Sequence, residues 1–433
     1  MGESEATENT NKYIQKGNPS KLMPKINRCC RASLISNTNR LKRFIIAGAT
    51  SFFICAGTAQ AADVYYVTEN GGGFGFAGKY SDISKLYPLA EKSVALPEFR
   101  SDLLNHVQQT NPSGYDLKIN TLSNNADSYA KSIVLDMVLD GETVSIERYD
   151  VDGTPVYKLD ILLHAEAIFF DYAKKTILTT VPISEEYIGT VDHHPSMSDE
   201  QEAVNQALFE NPGNNLVERF AASISTADLP KGIIKFAQVT KVTIAPRAQA
   251  SITNHPEMGW SNRQMSNNAV ANEFSSAVDS IAGIPLEPYA IDSATGQMAV
   301  AFSNTSAYSF TLPTPSYHIH ITVDGFKNVP YQSSVAGYSQ IYGAFVHIKV
   351  VDPLLNDVYM DAAFKNGVVK IIPKTQVTVA TGPAYQAALR GLFIKLAKAL
   401  NGSNGKWVAS ASSTPGIKRM LSNTNNALES CKQ

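Results

Sequence analysis

The chain has 433 residues, with 37 Lys/Arg against 39 Asp/Glu, a formal net charge of −2 and 44% hydrophobic residues. That apolar content is ordinary for a globular protein and excludes a wholly disordered chain. With no basic excess there is no phosphate-binding field, so nucleic acid is not an expected partner.

Residues 1–39 are polar, Asn-rich and without periodicity, and stand outside fold reasoning. Arg40, Lys42 and Arg43 then precede an uncharged apolar stretch at 44–57 (FIIAGATSFFICAG), and Ala59-Gln60-Ala61 follows it. A positive flank, a short apolar run and a small-x-small site make a Sec-type signal peptide. The run is too short for a membrane span, which needs about 20 apolar residues. Residues 1–61 are therefore expected to be leader and signal, with cleavage before Ala62 and delivery to the periplasm, or beyond it to the medium. Phe53-Ile54 before Cys55 speaks against a lipoprotein, and Lys42-Arg43 is not a twin arginine. Without residues 1–61 the chain keeps 28 basic and 36 acidic residues, and Cys431 alone of its four cysteines. No internal disulfide is then available, and the core must stand on burial. No later apolar run reaches membrane-spanning length, so no transmembrane segment is expected after cleavage.

From residue 62 onward the elements come in two matching series. Opening strands are predicted at 64–68 (VYYVT) and 242–247 (VTIAPR), helical stretches at 97–110 and 269–281, and second strands at 115–120 and 289–292. Strands ending in Asp-Gly follow at 132–141 (SIVLDMVLDG) and 316–325 (SYHIHITVDG). Next come paired runs at 157–178 (YKLDILLHAEAIFFDYAKKTIL) and 338–359 (YSQIYGAFVHIKVVDPLLNDVY), which turn at Asp171 and Asp352. Amphipathic helices at 216–224 and 392–400 close each series. Nearly constant offsets between the blocks predict an internal duplication. The predicted fold is α+β: two tandem domains at 62–228 and 233–400, each a mixed or antiparallel sheet covered by helices. Pro and Gly at 229–232 mark the boundary. The Asn/Ser/Gly-rich end, 401–433, is expected to be a disordered tail.

The opening strand VTIAPR, the helix AVANEFSSAVDSI, the strand before Asp292 and the hairpin YGAFVHIKVVDPLLNDVYM together resemble a small periplasmic α/β domain. That domain is found at the amino terminus of the Tol-system translocation protein and in the curli secretion lipoprotein. The resemblance implies an accessory role in envelope assembly or transport, with an envelope protein or small ligand as partner. The chain departs from it by lacking a lipid-bearing cysteine and propeller repeats, and by a long insertion at 292–315.

The sharpest candidate chemistry is His318, His320 and His347. Strand alternation puts His318 and His320 on one face, opposite Ile319 and Ile321, and His347 faces away from Val346 and Ile348. If the strands pair, three imidazoles could hold zinc with an open position for water, the basis of a metal-dependent enzyme. The plainer reading is a solvated polar strip, since His320 and His347 align with Asp136 and Glu166 of the first series. On that reading there is no cofactor and the protein binds rather than catalyses.

Other motifs are weaker. Residues 73–78 (GFGFAG) match G-x-G-x-x-G, but no acid follows at the spacing a dinucleotide fold needs, so a glycine loop is expected. Asp192-His193-His194, with Asp150 and Asp152, matches a phosphoesterase metal motif. Its setting instead reads as a loop entering a helix capped by Ser198, with Gln201 three residues later. Glu185-Glu186 reads as exposed loop, no G-x-S-x-G elbow occurs, and Cys431 falls in the tail.

Overall fold

The computed structural model describes residues 62–67, 73–120, 132–229, 235–289, 297–302 and 307–432. The signal segment, most of the expected boundary and the strand expected to end at Asp292 lie partly or wholly outside these residues. The described architecture is α+β.

In the first half, β1 (Ala62–Val67) runs parallel between β3 (Tyr115–Asn120) and β4 (Ile133–Val151). Strands β4, β5 (Thr154–Asp171) and β6 (Thr176–Val191) form an antiparallel meander. Asp152 and Gly153 link β4 to β5, with φ of 53° and 80°. A two-residue turn with both residues left-handed matches the twist of its strands, and Asp-Gly tolerates it best. Leu135, Met137, Leu139, Leu163 and Phe169 alternate onto one face. Against them lie α3 (Pro97–Gln109) and α5 (Leu216–Thr226), bringing Phe99, Leu103, Phe220 and Ile224. Between β2 (Phe74–Ala77) and α3 run two short helical turns, α1 (Ile83–Leu86) and α2 (Ala90–Val94). Helix α4 (Met197–Asn205) precedes α5.

The second half has the same strand relations. Strand β7 (Ala237–Ile244) runs parallel to β10 (Tyr317–Ser333), which continues antiparallel through β11 (Gly337–Asp352) and β12 (Asp357–Pro373). On the other side of β7 a parallel bridge joins Gln238 to Glu287, where β3 stands beside β1 in the first half. Asp171 accepts a backbone N–H from Lys174 at 2.9 Å, and Asp352 accepts from Leu354 at 2.9 Å and Leu355 at 3.1 Å. Both acids thus brace four-residue turns whose last residue is left-handed, Lys175 (φ 51°) and Asn356 (φ 56°). Helices α6 (Pro246–Asn254), α7 (Arg263–Ala277) and α8 (Thr381–Leu400) cover the face carrying Ile319, Ile321 and Val323.

Two expectations are corrected. Residues 401–433 are not a disordered tail through residue 432: they form α9 (Gly405–Ala411) and α10 (Ile417–Leu428). Ile417, Leu421, Thr424 and Leu428 recur at helical spacing and are buried, a stripe that Asn-rich composition hides. Nor are 62–228 and 233–400 separate sheets, because the first is joined by the insertion at 292–315. It supplies β8 (Gln297–Phe302) and β9 (Ala307–Thr311), which cross to the first half. Strand β8 pairs with β2 (Phe74–Ala77), β2 with β4, and β9 with β6. The ring β4-β2-β8-β9-β6-β5 is a closed six-stranded barrel, filled by Val134, Val138, Ile168, Phe170, Met298 and Phe310 among others. Phe170 and Phe310 meet edge-on, with ring centroids 4.5 Å apart. The two halves therefore share strands, within one compact unit spanning Ala59–Gln433.

Candidate functional site

The barrel face of β4 carries Val134, Asp136, Val138 and Asp140, and that of β5 carries His164, Glu166, Ile168 and Phe170. Register places Glu166 opposite Val138, and Asp136 opposite Ile168. Carboxylates thus interrupt an apolar lining. Asp136 and Glu166 are 4% and 5% exposed. At the barrel mouth a cavity of about 380 Å³ opens between Asp140, Glu166, Met298 and Ala299 on one side and Asn268, Asn272 and Tyr289 on the other. The second group belongs to α7 and the segment after it, so both halves build the site. Barrel mouths are common ligand sites, and this volume suits a small molecule.

The deeper acid is satisfied: Asp136 accepts the N–H of Gly73 at 2.9 Å. At the mouth the account is incomplete. Asn272 donates to Asp140 Oδ2 at 2.5 Å, but Asp140 Oδ1, Glu166 Oε2, Asn268 Oδ1 and Glu287 Oε2 find no partner among the described residues. Burial without compensation favours the neutral acid. Burial, opposed by the His164 charge, brings Asp140 to about 6. Burial opposed by the Gly73 N–H brings Asp136 to about 7. Burial, joined by repulsion from Asp140 and Glu287, lifts Glu166 well above the carboxylate range, and burial does the same to Glu287. Beside the mouth, Glu142 accepts the N–H of Ala90 at 2.7 Å and of Leu89 at 3.2 Å. Burial exceeds these bonds and brings it to about 7.

Glu273 of α7 behaves oppositely. Burial pushes its carboxyl up, but the Arg390 guanidinium and His164 outweigh it and hold the group below the usual range. Arg390 Nε donates to its two oxygens at 2.9 and 3.2 Å, and Arg390 Nη1 donates to Glu186 of β6 at 2.9 Å. This cluster fastens α7 and α8 to the first half's meander.

The sequence candidates fall elsewhere. His318, His320 and His347 do share the open face of the second sheet, as alternation predicts. They are not drawn together, because His347 lies opposite Thr322 while Lys349 lies opposite His320. His347 Nε2 pairs with Asp361 Oδ1 at 2.6 Å, and the His318 and His320 rings stand 6.5 Å apart. Burial, His318, Lys241 and Lys349 hold His320 below its ordinary value. Among the described residues no three His, Cys, Asp or Glu side chains are grouped to hold a metal ion.

The remaining motifs have structural roles. Residues 74–77 of the glycine motif are not a loop but buried strand β2, which the barrel needs. His193 bridges Asp192 and Asp199 beside α4, and the cap is Ser196 with Asp199 rather than Ser198 with Gln201. Glu185 is not exposed loop: it is 5% exposed on β6 and pairs with Arg219. Cys431 is buried, and burial pushes its thiol up to about 12.

Sequence reasoning thus assigns Asp136 and Glu166 to a solvated face, although both are buried, and does not single out Asp140, Glu273 or Glu287. A local signal exists in SIVLDMVLDG and LLHAEAIFF, where carboxylates interrupt otherwise apolar strands.

No protein-family model matches the chain, and no curated protein sequence matches it. Among solved structures, one described as a neuraminyllactose-binding hemagglutinin homologue from Helicobacter pylori aligns with 12% identity and a TM-score of 0.24, over 38% of this chain and 84% of that one. An NTF2-like protein involved in plasmid conjugation aligns with 8% identity and a TM-score of 0.11, over 57% of this chain and 80% of that one. No helix among the described residues is long and apolar enough to cross a membrane.

Proposed function

We propose that this protein is an exported, non-enzymatic binding protein of the cell envelope that seats a small ligand at the barrel mouth. The observation that carries the reading is the Glu166 carboxyl, 5% exposed and with Oε2 unpartnered, on the wall of a cavity of about 380 Å³. An unsatisfied buried polar atom costs about 1–3 kcal/mol, more for a charged group, and a ligand that pairs with it recovers that cost. The signal at 40–61 supports export. The shared relations β1–β3–β4 and β7–Glu287–β10, with the turns braced by Asp171 and Asp352, support an internally duplicated module. An accessory role in envelope assembly follows from the resemblance to the Tol and curli domains.

Met298 lines the cavity, so its methyl resonance can report on it. With ¹³C-methyl methionine, a panel of small fragments is expected to shift the Met298 resonance and leave Met420 of α10 unmoved. Failure of every fragment to move Met298 would overturn the reading. Amino-terminal sequencing of the cell-fractionated protein is expected to begin at Ala62 in the periplasmic fraction, and an intact cytosolic chain would refute export.

A further inference from the structure

We infer that the ligand of the barrel mouth is a small organic cation, an alkylammonium or diamine, held by Asp140 and Glu166. The inference rests on the binding-site reading above and adds the chemical class of the ligand.

Three features point to a cation. The unpartnered atoms on the cavity wall are all oxygens: Asp140 Oδ1, Glu166 Oε2 and Asn268 Oδ1. Once ionised, a carboxylate, like a side-chain carbonyl, accepts hydrogen bonds and donates none, so its complement is a donor; an ammonium carries three and no acceptor. The lining charges are mostly of one sign, Asp82, Asp140 and Glu166, with Lys79 exposed at the rim. Part of the wall, Ala77, Met298, Ala299 and Pro288, is apolar and accepts a methylene stem. A bare metal ion fits less well. A hard divalent cation gathers six to eight oxygens around one point, whereas the described acids are not grouped in that way. A diamine offers one ammonium to each of the two carboxyls.

Binding is coupled to protons. The titratable and charged groups facing Asp140 and Glu166 come from every surrounding element: Lys79 and Asp82 after β2, Asp136 and Glu142 on β4, and His164 on β5. Tyr87 after α1, Glu273 on α7, Arg390 on α8, and Glu287 and Tyr289 after α7 stand around them as well. In the empty site, burial brings Asp140 to about 6 and lifts Glu166 well above the carboxylate range. An entering ammonium favours the carboxylates, so protons pass from the two acids to the buffer while the ligand keeps its own.

The test uses the full chain with 1,4-diaminobutane and, as a neutral analogue of similar size, 1,6-hexanediol. The diamine is expected to shift the Met298 methyl resonance with saturation, and the diol to leave it unchanged. Calorimetry at pH 6 in two buffers of different ionisation enthalpy should show proton release. Glu166→Gln should weaken the diamine at least tenfold and reduce that release. Asp140→Asn gives an independent check if Glu166→Gln fails to fold. Equal shifts by diol and diamine, or a response to Ca²⁺ or Zn²⁺ without one to the diamine, would overturn the cation inference and leave the binding site standing. If neither diamine nor diol acts, the cation inference fails, and the fragment panel decides the site separately.

Discussion

Arg390→Met removes the charge that holds Glu273 ionised while keeping most of the apolar stem. Two hydrogen bonds from Arg390 reach Glu273, whose side chain is 10% exposed, and one reaches Glu186, which is 43% exposed. The exposed pair contributes about 0–1 kcal/mol. Loss of one partner from a buried pair costs about 3–5 kcal/mol, because the other charge stays behind. Arg390 is itself 26% exposed and His164 remains 3.6 Å from Glu273, so the low end, about 3 kcal/mol, is expected at pH 7.5. The sign with pH is fixed by the direction of each shift. In the wild type Glu273 lies below its unfolded value; its contribution is full above that value and is lost as pH falls through the folded one. In the variant only His164 still opposes burial, and Glu273 is expected to rise above its unfolded value. Its contribution is then full below the unfolded value and is lost as pH rises through the folded one. The deficit between variant and wild type is therefore larger at pH 7.5 than at pH 5. Urea denaturation at both pH values measures it, with Glu273→Gln added to Arg390→Met expected to restore about 2 kcal/mol at pH 7.5. A deficit below about 1 kcal/mol at pH 7.5, or one that grows on acidification, would refute the assigned charge on Glu273.

Two further outcomes follow from the packing. Phe310→Ala should cost about 3–5 kcal/mol in chemical denaturation, because Phe310 is 2% exposed against Phe170 in the barrel interior; a loss under about 1 kcal/mol would mean the insertion does not close the barrel. With Cys29→Ser, Cys30→Ser and Cys55→Ser in place, Cys431 should resist a thiol-reactive dye at pH 8 until the protein unfolds, since it is 1% exposed. Immediate stoichiometric reaction would show that the end of the chain is loose.

Much of the fold is legible because it is local. The strands that become β4–β5–β6 and β10–β11–β12 show long apolar alternation, and Asp171 and Asp352 mark the turns that they brace. Helices α3 and α5 lie where spacing puts them. Hidden elements are those whose burial comes from afar. Helix α10 has only four stripe residues among Asn, Ser and Lys, too few to outweigh composition until the second core receives them. Strand β2 is four residues of Gly, Ala and Phe, a loop by composition, and it becomes a strand because β4 and β8 flank it.

The site was hidden for the same reason, and the two halves show why. Alignment sets His320 beside Asp136 and His347 beside Glu166, and local pattern cannot distinguish these faces. In the second half the face stays open, and His347 settles its polarity by pairing with Asp361 at 2.6 Å. In the first half β8 and β9 arrive from more than a hundred residues away and close the same face into a barrel. Carboxylates that would have been solvated become buried. Asp136 is compensated by the Gly73 N–H, so the barrel can satisfy an interior acid where position requires one. Glu166, opposite Val138 and nearer the mouth, keeps an unpartnered oxygen. An apolar residue there would spare the fold that cost. A carboxyl that burdens the barrel without bracing it, on the wall of its cavity, has no role in the fold, and the proposed ligand at the mouth would give it one.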